Sequence, residues 1–199
     1  AWVAQSDRLL TPDVSVGVPL PLLSKRADYL ILTHRAFAGE LGDLVALQRS
    51  RGFSTAVIDV GQIYAAYSDH QPSAEAIRQF VAASSGGGRP KYVLLVGAAS
   101  SDPYDHFGLG SISFVPTAYL PVVPEVSFSP TDEALADFDG DRFPDVPIGR
   151  LPVRTLAELT NAIDKLYAWE AEVLGAPEAL LVAGASDGPG ELMAINDTY

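Results

Sequence analysis

No cysteine occurs anywhere in the 199 residues, so disulfides, thiolate catalysis and zinc–sulfur sites are excluded within this chain. Basic residues are also scarce. Against 25 Asp and Glu stand 13 Lys and Arg, for a formal charge of −12 and a sequence pI near 4.5. A nucleic-acid partner needs a concentrated basic face, which this balance does not supply. Acidity of this kind suits solubility, or affinity for cations such as calcium. No apolar run approaches the roughly 20 residues that cross a bilayer, so no membrane span is expected. Ala1-Trp2-Val3 offers neither the basic start nor the long apolar stretch of a signal peptide. The first residue is not Met, and Asp197-Thr198-Tyr199 closely follows a strand-like segment. A piece of a larger protein, or one trimmed at both ends, is the expectation.

What is present is globular in character. Hydrophobic residues make up 48% and charged residues 19%, enough for one core, or one core and the start of a second. Leu10 to Leu23 carries three prolines and alternating valines, which predicts an extended leader or linker over residues 1–27. From Asp28 the pattern changes. Tyr29-Leu30-Ile31-Leu32-Thr33 reads as a strand buried on both faces. Gly39 to Arg51 has helical spacing and stops at Gly52. Thr55 to Val60 is a second strand, and Ser73 to Ala83 a second helix with Ser73 as its cap. Tyr92 to Gly97 is the third buried strand. The β-α-β-α-β alternation calls for a parallel sheet with helices on both faces, a three-layer α/β sandwich.

Residues 98–130 break that rhythm with Pro, Gly and Ser and with short β-like pieces around Phe114 and Tyr119; long excursions at strand ends tend to be functional loops. Asp145 to Leu151 reads as a short strand, Leu156 to Leu174 as the strongest helix, and Ala179 to Ala183 as a last buried strand. One α/β unit is thus expected over 28–175, followed by a further strand and loop over 176–199.

Two loops concentrate carboxylates. Asp137-Phe-Asp139-Gly-Asp141-Arg-Phe-Pro-Asp145 places them at loop positions one, three, five and nine. Calcium takes six to eight hard oxygen ligands at roughly 2.3–2.6 Å, and alternating aspartates on a curling backbone bring several to one point. The pattern departs from the usual calcium loop at the sixth position, where Arg142 replaces glycine, and at the twelfth, where Ile148 replaces glutamate. Two readings stand: a calcium loop of the kind found in extracellular proteins, or a solvated acidic turn built from good turn residues. The second cluster, Ser101-Asp102-Pro103-Tyr104-Asp105-His106, follows the third strand, at the edge where ligand crevices form in open parallel sheets. His106 is either a ligand or base there, or part of a solvated turn. His34 follows the first strand on the same edge and is placed to cap the next element; His70 sits in a polar loop. Val96-Gly97-Ala98-Ala99-Ser100 lacks the spaced glycines of a phosphate cradle, which disfavours nucleotide binding.

Several stretches in order resemble the gingipain-type cysteine peptidases, whose fold is caspase-like. They are Tyr29 to Thr33 with Phe37 and Arg51-Gly52; Ala76 to Phe80 leading to Tyr92 to Gly97; Thr131-Asp132 through Asp137 to Asp141, Pro144-Asp145 and Ile148 to Pro152; the helix on to Lys165 and Trp169-Glu170; and Ala179 to Ala185 with Asp187. The resemblance covers about residues 28 to 190. It implies two adjoining α/β subdomains, with a catalytic histidine and then a cysteine downstream of the region resembled. It implies that Asp187, soon after the opening strand of the second subdomain, orients that histidine; the plainer alternative is that Asp187-Gly188 begins a turn. Asp197 falls near a position that selects a basic substrate side chain in some members. The family's calcium binding adds to the reading of Asp137, Asp139, Asp141 and Asp145 as metal ligands. Ala98 departs from the aspartate that often follows the third-strand glycine.

The expected function is therefore the N-terminal portion of a secreted, extracellular or cell-surface cysteine endopeptidase acting on protein or peptide substrates, inert by itself. The alternatives are a non-catalytic caspase-like module serving secretion, assembly or adhesion, and a calcium-stabilised structural domain unrelated to proteolysis.

Overall fold

A computed structural model describes residues 27–171, apart from 89, 104 and 122–127. In chain order the elements are β1 (Tyr29–Thr33), α1 (Arg35–Ala38), α2 (Gly42–Ser50), β2 (Thr55–Asp59), α3 (Val60–Tyr67), α4 (Ala74–Ser84), β3 (Tyr92–Val96), β4 (Ala118–Leu120), β5 (Ser129–Thr131), a 3₁₀ turn (Glu133–Leu135), β6 (Ile148–Leu151) and α5 (Leu156–Ala171). The chain divides into two compact units after Lys165, and every strand among the described residues, with helices α1 to α4, belongs to the first.

Four strands form one sheet in the order β2-β1-β3-β6, every neighbouring pair parallel. β1 is internal, which is why its Leu30, Ile31 and Leu32 are fully buried and its sequence runs apolar without alternation. Ile31 lies in register between Val57 and Leu94. On one face Leu30, Leu32, Val93 and Leu95 join Ile63, Ile77, Phe80 and Val81 of α3 and α4 in a single buried cluster. Strand alternation turns Ile31 and Val96 to the other face, where they are equally buried. Phe37, Leu44, Leu159 and Ile163 are buried outside the first cluster, and give the third layer its apolar side. Each such side chain contributes about 1.5–3 kcal/mol on burial.

The local chemistry sets the boundaries. Ser73 Oγ accepts from the Ala76 N–H at 3.1 Å, the expected cap of α4, worth about 1 kcal/mol. The second strand ends one residue early because Asp59 Oδ1 accepts from the Gly61 N–H at 3.0 Å and so caps α3, a helix not anticipated from the sequence. The helix expected over 39–51 is narrower, and α1 precedes it. The β-like piece at Tyr119 is β4, paired antiparallel with β5, whereas Phe114 lies outside any strand. The strand expected from Asp145 starts at Ile148, since Asp145 belongs to the preceding loop. The leader over residues 1–26, the end of the long helix beyond Ala171 and the strand Ala179 to Ala183 lie outside the described residues.

Candidate functional site

Parallel strands gather their carboxyl ends on one edge, and residues 97–117 fold back across it. Gly97 turns the chain there with φ +136°; a Cβ on it would stand 2.9 Å from Phe114 Cβ and 3.1 Å from Val115 Cγ2. That close approach admits glycine alone. Phe114 packs on Phe37 at 4.9 Å between ring centroids and meets His34 edge-on at 5.5 Å. His34 Nδ1 in turn accepts from the Ala36 N–H and caps α1.

The strongest polar network at this edge centres on Arg150, at the end of β6. Its guanidinium has five N–H donors, and all five are engaged. Nε and Nη2 donate to the two oxygens of Asp132, each at 2.7 Å. Nη1 donates to the carbonyls of Gly97 at 2.6 Å and Val115 at 2.7 Å, and Nη2 also to Pro116 O at 3.3 Å. The Thr117 hydroxyl completes the carboxylate, donating to Asp132 Oδ1 at 2.7 Å. Burial pushes the Asp132 carboxyl up, but the hydrogen bonds and charge of Arg150, with the Thr117 hydroxyl, leave it below the usual carboxylate range. One side chain thus ties together β3, β6 and two distant points of the excursion. Sequence reasoning did not single out this pair; the available signal was an arginine inside the otherwise apolar Ile148-Gly149-Arg150-Leu151.

In the loop after β3, Asp102 is buried and accepts from the backbone N–H groups of His106 and Phe107, each at 2.9 Å. The Phe107 N–H, followed by that of His106, holds its carboxyl below the usual range. Asp105 takes a left-handed backbone, φ +54°, and its Oδ1 accepts from the Ser111 N–H at 3.1 Å. Both aspartates therefore build the loop. His106 and His70 are exposed.

The Asp137–Asp145 loop is likewise threaded by its own carboxylates. Asp137 accepts from the Gly140 N–H at 2.7 Å and the Arg142 N–H at 3.0 Å, and Asp145 Oδ2 from the Phe138 N–H at 2.7 Å. Arg142 at the sixth position adopts φ +74°, the left-handed conformation that a glycine would take there. Carboxylate oxygens of Asp137, Asp139 and Asp145 lie within 4.8 Å of one another. Two oxygens on a common calcium stand at most about 5 Å apart, twice the metal–oxygen distance, so these three fit the ion. Asp141 is not in that group; its Oδ1 accepts from the Phe143 N–H at 2.8 Å. Asp187 and Asp197 lie outside the described residues.

A four-stranded parallel sheet layered with helices, a long excursion at its carboxyl edge and an acidic loop before β6 define a caspase-like α/β domain. The sequence model of peptidase family C25 matches residues 22–199. The chain belongs to peptidase family C25. It shares its fold with three solved structures. Dimeric latent PorU from Porphyromonas gingivalis matches with a TM-score of 0.58 at 24% identity, over 72% of this chain and 16% of that one. The complex of Porphyromonas gingivalis RgpB pro- and mature domains matches at 0.50 and 24%, over 69% and 27%. A structure described as a protease matches at 0.52 and 21%, over 71% and 28%. The chain thus spans less than a third of each of those chains. No curated protein sequence matches it significantly. Among the described residues no helix is long and apolar enough to cross a membrane.

Proposed function

We propose that this chain is the first subdomain, with the opening of the second, of a secreted gingipain-like cysteine endopeptidase. The observation that carries the reading is the family match across residues 22–199 in a chain that holds no cysteine. The thiolate that would attack the peptide carbonyl and the histidine that would take its proton belong to sequence beyond Tyr199. Asp187 is assigned the orienting role: an ionised carboxylate beside the imidazole fixes its tautomer and stabilises the imidazolium. Asp197 is assigned to receive a basic substrate side chain. Calcium would be held by Asp137, Asp139 and Asp145, and would supply the positive charge that these side chains lack. An extracellular location suits such a loop, because calcium is abundant enough there to fill even a weak site.

The test uses the 199-residue chain and a longer chain that continues through the following coding sequence. The 199-residue chain should cleave no peptide. The longer chain should cleave, lose activity to a thiol alkylator, and fall by orders of magnitude as Asp187→Asn. Thiol-insensitive cleavage by the short chain overturns the assignment. A continuation without histidine and cysteine favours instead a non-catalytic module, the reading to which the missing cysteine also lends itself.

A further inference from the structure

We infer that the crevice at the carboxyl edge of the sheet is a binding site for a carboxylate carried on a peptide, with Arg154 as the residue that receives it. The crevice has a volume of about 670 Å³ and includes Ser100, Ser111, Tyr119, Arg150 and Arg154 in its lining, a size that holds a small ligand or a short peptide segment. Two guanidiniums face it, and they differ in what they have left to give. Arg150 has all five donors engaged and its charge paired with Asp132. Arg154 donates to the carbonyls of Ile112 and Ala99, both at 3.4 Å. Among the described residues no further acceptor meets its other three N–H groups, and no carboxylate pairs with its charge. Glu158, the nearest acid in sequence, is committed elsewhere: its Oε2 accepts from the Arg154 backbone N–H at 2.6 Å. In a chain of formal charge −12, a guanidinium that lines a crevice and has no carboxylate partner among the described residues favours an anion, and its planar fork matches a carboxylate.

The serines supply the second contact. Ser100 Oγ accepts from the Asp102 N–H at 3.0 Å and shares one hydrogen bond with Ser111 Oγ at 2.6 Å. Whichever hydroxyl donates in that pair, the proton of the other is left over for a ligand. A peptide carrier follows from the surroundings. Ala98, Ala99, Tyr119, Pro130 and Pro152 line the crevice with apolar surface. A free small anion would use none of this apolar surface; an acidic residue beside an apolar one would use both.

Binding by this chain needs no nucleophile, so peptide binding without cleavage would separate this inference from the proposed catalysis. The experiment titrates the 199-residue chain calorimetrically with acetylated, amidated pentapeptides of sequence Gly-Leu-Glu-Leu-Gly and Gly-Leu-Gln-Leu-Gly, and with a Gly-Leu-Gly-Leu-Gly peptide whose C-terminus is free. The Glu peptide, or the one with the free terminus, should bind at least tenfold more tightly than the Gln peptide, and which of the two does so identifies the source of the carboxylate. Arg154→Gln should abolish that difference while the melting temperature stays in place, and Ser111→Ala should reduce it. Equal binding of all three peptides, no binding by any, or an unchanged preference in Arg154→Gln overturns the inference.

Discussion

Two acidic regions of this molecule solve the same problem in opposite ways. Asp132 is partly buried and meets a cation supplied by the fold, Arg150, in a two-pronged pair. Asp137, Asp139 and Asp145 converge with no ion pair of that kind among the described residues, and backbone N–H groups of their own loop hold them. A buried charge needs its counter-charge built in, because desolvation leaves nothing else to compensate it. An exposed cluster can leave that place to an ion from solution. The contrast separates structure from exchange: the first region is closed, and the second is open to solvent ions.

The costliest change disrupts the closed region. Arg150→Met should cost about 3–5 kcal/mol, as when one partner of a buried pair is removed, because it strands the Asp132 carboxylate and three carbonyls. Urea titration measures it, and a loss under about 1 kcal/mol would mean that the network holds nothing. Next comes the open region. Calcium at a hundredfold over its dissociation constant should stabilise the chain by about 2.7 kcal/mol, read as a higher melting temperature that chelator reverses. Asp137→Asn should remove that response, whereas Asp141→Asn should weaken it far less; an unchanged melt with and without chelator sinks the calcium reading. A smaller effect concerns the loop's geometry. Arg142→Val should cost about 1–2 kcal/mol, since a β-branched residue resists the left-handed backbone at this position, while Arg142→Gly should be tolerated. The mildest is a slope. The folded Asp132 carboxyl is depressed, so its stabilisation is present above the unfolded value of about 3.9 and is lost as pH falls through the folded one. Acid titration of stability should show this limb, and Arg150→Met should flatten it.

The sequence made the sheet legible where burial on both faces left unbroken apolar runs, as in Tyr29–Thr33 and Tyr92–Val96, and it made α4 legible through Ser73. It did not show α3, because Val60 to Tyr67 follows β2 with no intervening loop and shares its apolar character; one side chain, Asp59, marks the junction. The Asp137–Asp145 loop was visible through spacing, yet spacing did not say that oxygens of Asp137, Asp139 and Asp145 converge within 4.8 Å and that Asp141 is not among them. Arg150 and Asp132 were invisible as a pair because only the parallel pairing of β6 with β3 brings their surroundings together. Arg154 escaped notice for a related reason. Its significance lies in donors left over, and no pattern of residue types records that.

The reach of Arg150 also bears on the order in which the chain assembles. β2, β1 and β3 with their helices come from a continuous stretch, 29–96, whereas β6 returns only after the segment 97–147. The carbonyls of Gly97, Val115 and Pro116 and the carboxylate of Asp132 cannot be collected by one guanidinium until that return is complete. On this geometry the side chain is expected to act as a latch that shuts late, after the loop-closure entropy has been met. Removing it should accelerate unfolding and leave the refolding rate nearly unchanged; a slowed refolding arm in stopped-flow measurements on Arg150→Met would show that the latch closes early instead.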